Sequence, residues 1–199
     1  MRKNFFIIGI RRSGTTIIKE LVQKHPDIMT IEFEPHHLWA AVDLHHFKRL
    51  MNQNKIKIWV SSIIQQFRKH GELGKWYGAK FALNPGTKAL EWVWLHKTFP
   101  DARFIFIVRK TENTWKSVYK QDANSVRGII DKGAYEIMSE NLKKDFQVFA
   151  DQFPKKAVIC SYEKLLNNPF AELSKVWRLL GLDTPNIDFK QFIRRPENV

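Results

Sequence analysis

Residues Phe5 to Thr16 read FFIIGIRRSGTT, a stretch that leaves the chain little structural freedom. Four apolar residues run without alternation into Gly9, as in a strand buried on both faces. Two arginines and Ser13-Gly14-Thr15-Thr16 follow, and Ile17, Ile18, Leu21 and Val22 then recur at helical spacing as far as Lys24. Strand, glycine-bearing loop and helix is the layout of a phosphate-binding P-loop. Gly9 and Gly14 keep the spacing of G-x-x-x-x-G-K-[ST], but Thr15 stands where that motif has lysine.

Successive backbone N–H groups and an exposed helix N-terminus still make an anion site. Arg11, Arg12, Ser13, Thr15 and Thr16 add side-chain donors around Gly14. The lost lysine is the one that reaches the β- and γ-phosphates of a nucleoside triphosphate, so the loop suits a shorter phosphate chain. A bare strand-to-helix turn capped by Ser13 or Thr15 is the plain alternative.

The rest of the chain alternates between two periods. Strands are predicted over Ile28–Phe33, Trp76–Leu83, Arg103–Val108 and Ala157–Ser161. Helices are predicted over 38–50, 55–70, 89–98, 112–119, 134–152 and 171–180, the last ended by Gly181. Residues 121–132 are polar and carry no clear pattern. The alternation predicts one α/β domain over residues 1–199, a P-loop-like parallel sheet flanked by helices on both faces. No repeat or linker interrupts it.

A second anion site is written in ARFIFIVRKTENTWKSVYK. The buried strand delivers Arg109 at its carboxyl end, the edge where open α/β sheets bind ligands. Ser117 follows eight residues later in the next helix. Arginine offers a bidentate fork for phosphate, and serine adds a directed hydrogen bond. A strand-end ion pair and a solvated serine are the alternative.

Charge agrees with anion binding: Lys and Arg number 33 against 20 Asp and Glu, a formal +13. That excess favours nucleotides, nucleic acid, acidic glycans or membrane surface without choosing among them. Cys160 is the one cysteine, which excludes an internal disulfide and fits a reducing, cytoplasmic compartment. Its apolar neighbours make it a core thiol. No run approaches the ~20 apolar residues of a membrane span.

GIRRSGTT resembles the loop that grips the 5′-phosphosulfate in sulfotransferases using 3′-phosphoadenosine 5′-phosphosulfate (PAPS). The resemblance continues through ELVQKHPDIMTIEFEP, a run similar to that of carbohydrate sulfotransferases, and covers roughly residues 4–182. It implies the PAPS-dependent fold and activity, with 3′-phosphoadenosine 5′-phosphate (PAP) as product and no obligatory metal. Arg109 and Ser117 resemble the family's 3′-phosphate motif, although Lys110-Thr111 replaces its usual Asp-Pro. Arg127 falls where the family carries further charge for that phosphate. Lys80, in WYGAKFAL, resembles the lysine near the sulfuryl oxygens, with Phe81-Ala82 in place of Thr-Pro. CSYEKLLNNPF resembles the family's Tyr-Glu-x-Leu-x-x-x-Pro, expected to shape the fold through packed Tyr162 and Leu165 and through Pro169 opening a helix.

Sulfuryl transfer to a hydroxyl needs a base, and cations or N–H groups on the developing charge. Arg12 and Lys80 are the expected cations. Glu34 resembles the family's Glu-Pro glutamate and is the favoured base. His36, followed by His37, is the alternative, and Glu32 shares a strand face with Glu34. The acceptor is expected to be a small molecule or glycan, reached through a helical segment over 34–75. His36, His37, His45 and His46 lack the spacing of a zinc helix. Two other readings remain open: a nucleoside or nucleotide kinase with a changed P-loop, and a basic nucleotide- or nucleic-acid-binding module using some of the seven tryptophans. Core packing is the expected use of those rings, so nucleic acid is not the expected partner.

Overall fold

The computed structural model describes residues 3–30, 75–83, 96, 99–122 and 131–193. The first strand, β1 (Lys3–Ile10), leads into α1 (Thr15–Val22) and the short β2 (Ile28–Thr30). Next come β3 (Trp76–Leu83), β4 (Arg103–Val108), α2 (Thr111–Asp122) and α3 (Lys132–Gln152). The chain then forms β5 (Ala157–Ser161), α4 (Tyr162–Asn167), α5 (Pro169–Leu180) and a 3₁₀ turn, Phe189–Phe192.

The strands form one parallel sheet in the order β2-β3-β1-β4-β5. The chain leaves β1 toward the β3–β2 side and leaves β4 toward β5. The crevice between the carboxyl ends of β1 and β4 is therefore the switch point where ligands bind in such sheets. Residues of β1 divide by alternation. Phe6, Ile8 and Ile10 pack on one face with Phe104 and Phe106, covered by Leu142, Phe146 and Phe149 of α3. Phe5 and Ile7 pack on the other with Ile105 and Ile107, covered by α1 and by Leu173, Val176 and Trp177 of α5. Both faces being dry, the strands read as unbroken apolar runs.

The element ends have local causes. Pro169 opens α5, Asn168 accepts the Ala171 N–H at its start, and Gly181, at φ 65°, closes it. Cys160 is fully buried, which pushes its thiol up to about 12 and leaves it without nucleophilic character at neutral pH. Trp76 and Trp177 are buried, and Trp115 packs against the core. These three rings are core, not base-stacking platforms; Trp39, Trp59, Trp92 and Trp94 lie outside the described residues. None of the described helices is long and apolar enough to cross a membrane.

Candidate functional site

The loop after β1 is folded tightly around two glycines. A Cβ on Gly9 would stand 2.4 Å from Ser13 Oγ and 2.5 Å from an Ile107 methyl, so only glycine lets the loop lie on β4. Arg12 takes φ 69°, a left-handed conformation uncommon for a side-chain-bearing residue and frequent at functional sites. Gly14 follows at φ 103° as the N-cap of α1. Among the described residues no side chain caps that helix, so neither Ser13 nor Thr15 plays the role that the plain-turn alternative required. The first N–H groups of α1 stand at the positive end of the helix dipole, where an anion is stabilised.

A cavity of about 620 Å³ opens at this point, with Arg11, Arg12, Gly14, Thr15, Thr16, Lys80, Arg109 and Tyr162 on its walls. Its size is within the range of small-ligand sites. Thr15 is buried to 4% exposure, and its short side chain cannot reach outward as a P-loop lysine does. Thr16 accepts a hydrogen bond from Lys80 Nζ at 2.9 Å, which places the β3 lysine over the first turn of α1. Ser13 turns under the loop: its hydroxyl is buried and has no partner among the described residues. Its side chain is not on the cavity wall.

The second grip meets the first. Arg109, just beyond β4, donates from Nη1 to the Arg12 carbonyl at 3.1 Å. Arg12 Nε in turn donates to Ser117 Oγ at 3.1 Å. The guanidinium of Arg109 lies 4.4 Å over the Tyr162 ring, a cation–π contact that holds its plane. Arg109 Nε is buried and unpartnered among the described residues, a donor position with no protein acceptor. Two arginines, one lysine and a set of free N–H groups thus converge on one crevice, as binding of a multiply charged anion requires.

Leu165 is core and Tyr162 packs against that core, both as expected. Tyr162 does more than shape the fold, because its ring also lines the cavity and touches Arg109. A Cβ on Gly14 would lie 2.3 Å from its ring, so the ring also closes the loop from the far side. The strand-plus-helix pattern around Tyr162 gave no sign of this, because it depends on β5 lying beside β4. Phe192 and Gln191 were likewise not picked out. With Ile17, Gln23 and Lys24 they line a neighbouring cavity of about 710 Å³, which shares Thr16 and Ile17 with the first. Lys24 Nζ sits 4.3 Å over the Phe192 ring there. Glu34, His36 and Arg127, with Glu32, His37 and most of the 34–75 segment, lie outside the described residues.

Comparison with known proteins is consistent with this geometry. The model of the Sulfotransferase family matches residues 4–186. A protein-tyrosine sulfotransferase of Drosophila melanogaster is 26% identical over 222 aligned residues, covering 98% of this chain and 41% of its own length. The chain thus spans less than half of that relative. Among solved structures, a sulfotransferase from Alicyclobacillus acidocaldarius superposes with a TM-score of 0.68 at 16% identity, covering 99% of this chain and 88% of that one. The mouse sulfotransferase SULT7A1, solved in complex with PAP, gives 0.51 at 16% identity, over 96% and 62%.

Proposed function

This chain belongs to the sulfotransferase family; from that premise we propose that it is an enzyme of that kind, with PAPS as its donor and a hydroxyl group as its acceptor. The observation that carries the reading is the meeting of two anion grips in one crevice, with Arg12 linked to Ser117 and Arg109 linked to Arg12. A nucleotide with phosphate at both ends of one ribose needs two such grips close together. The residues present fit it. The uncapped N-terminus of α1 and the free Arg109 Nε are donors waiting for an anion, and Gly14 keeps the loop open to it.

In this reading the N–H groups from Gly14 to Thr16 hold the 5′-phosphosulfate, and Arg109 with Ser117 holds the 3′-phosphate, with Arg127 adding charge. Thr16, Ile17, Gln191 and Phe192, which line the neighbouring cavity, would hold the adenine ring. PAPS supplies the sulfuryl group and leaves as PAP. Lys80 and Arg12 offset the charge that grows on the bridging and peripheral oxygens. Glu34 takes the acceptor proton, or His36 does so in its place. No metal is called for by this chemistry.

The Arg-Ser-Gly and Glu-Pro segments support a carbohydrate hydroxyl as acceptor. The name of the Drosophila relative supports a second acceptor, a tyrosyl phenol. Incubation with sulfur-labelled PAPS and two panels, oligosaccharides and tyrosine-containing peptides, tests both. Label in a sugar supports the first choice and label in a peptide the second. Turnover of ATP and magnesium, with none of PAPS, would return the kinase reading.

A further inference from the structure

The eight-residue step from Arg109 to Ser117 is held at three points. The Lys110 N–H donates to Glu163 Oε1 at 2.9 Å. The Lys110 carbonyl accepts from the Thr114 N–H and the Thr114 hydroxyl, each at 3.0 Å. Thr111, the first residue of α2, is tied across to α3: its hydroxyl donates to Glu140 Oε1. Lys143 Nζ reaches both members of that pair, Thr111 Oγ1 at 2.6 Å and Glu140 Oε1 at 2.8 Å.

A helix start is often fixed by proline, whose φ is set in advance. Here threonine occupies that place, and its backbone is freer. The Glu140–Lys143 pair alone is a surface ion pair of the kind that contributes little. Its geometry is different in purpose, because both charges fix a third group. That group begins the helix carrying Ser117 and follows Arg109 by two residues. Five residues before Glu140 on α3, Tyr135 is buried against Trp115 of α2, their rings 5.1 Å apart, so α3 also seats α2 by packing.

We propose that α3 positions the second anion grip, and that the Thr111–Glu140–Lys143 latch sets where Arg109 and Ser117 stand relative to the first loop. None of the three latch residues is on the described cavity wall, so they act through Arg109, which is on it, and through Ser117, which reaches it by way of Arg12. This rests on the PAPS reading above, because it assigns the latch to recognition of the 3′-phosphate.

The test is calorimetry of PAP and of adenosine 5′-phosphate with the whole chain as wild type, Thr111→Val, Glu140→Gln and Thr111→Pro, with thermal melting as a folding control. Thr111→Val removes the latch hydroxyl and is expected to raise the Kd for PAP roughly fivefold, as for a lost hydrogen bond, while adenosine 5′-phosphate is weakened less, feeling the change only through Arg12. Glu140→Gln moves the ratio in the same direction. Thr111→Pro replaces the latch by a fixed φ and keeps the wild-type ratio. An unchanged ratio in Thr111→Val and Glu140→Gln, equal weakening of both ligands, or a loss in Thr111→Pro as large as in Thr111→Val would overturn the proposal. A wild type that prefers PAP alongside variants with its ratio discards the latch alone. A wild type that binds both ligands equally discards the nucleotide reading and the latch with it.

Discussion

The Nε of Arg12 donates to the Ser117 hydroxyl at 3.1 Å, joining the first loop to α2 across 105 residues of sequence. The two anion grips are therefore one unit in the folded chain, and a change at either should be felt at the other. Ser117→Ala releases Arg12 and, on the proposed function, removes a ligand of the 3′-phosphate. PAP affinity should fall by about 1.5–3 kcal/mol, the value of a hydrogen bond to a charged group. In a double-mutant cycle with Arg12→Ala, measured by calorimetry, the two losses should be non-additive. Strict additivity would mean that the contact does not matter to binding.

Gly14 sits at φ 103° with the Tyr162 ring against it. Gly14→Ala should cost about 1–3 kcal/mol of stability through backbone strain, and should weaken PAP and adenosine 5′-phosphate together, because both use the first loop. Chemical denaturation and calorimetry check the two effects. A variant with wild-type stability and binding would show that the loop does not need this conformation.

Glu34→Gln should keep PAP affinity and lose most of the transfer rate, by about 10²–10⁴-fold if it is the general base. Stopped-time assays with labelled donor measure it once an acceptor is in hand. Unchanged turnover would assign proton removal to His36.

His96 packs its ring against Phe153, Phe149 and Phe104, with centroids 4.7, 5.9 and 6.4 Å away. Burial, helped by the charge of Lys156, holds its pKa below the ordinary 6.5. The unfolded chain then takes up this proton before the folded one does. The contribution of the neutral ring is fully present above the unfolded value and is lost as pH falls through the lower folded value. Wild type should lose melting temperature between about pH 7.5 and about pH 5.5, and His96→Phe should lose less over the same range. Identical losses would show that other groups carry the acid sensitivity.

Much of this arrangement was legible in the residue order. β1, β3, β4 and β5 are written as apolar runs because both sheet faces are covered. Gly9 and Gly14 mark the loop because their neighbours leave no space for a side chain. Arg109 and Ser117 were findable from the strand end and the helix that follows. Other features depend on contacts that no local pattern encodes. Tyr162 enters the cavity only because β5 pairs with β4. Thr111 meets Glu140 and Lys143 only once α3 packs back on α2, 29 and 32 residues away. The positive φ of Arg12 goes with long-range hydrogen bonds, from Arg109 to its carbonyl and from its Nε to Ser117. No propensity at Arg12 itself would have revealed it.

The most direct test of the central claim is a crystal of the chain soaked with PAP. The account predicts the 5′-phosphate on the N–H groups between Gly14 and Thr16, and the 3′-phosphate within hydrogen-bond distance of Arg109 and Ser117, both in the crevice between β1 and β4. Density that leaves the first loop empty, or that puts the 3′-phosphate away from Arg109, would contradict it.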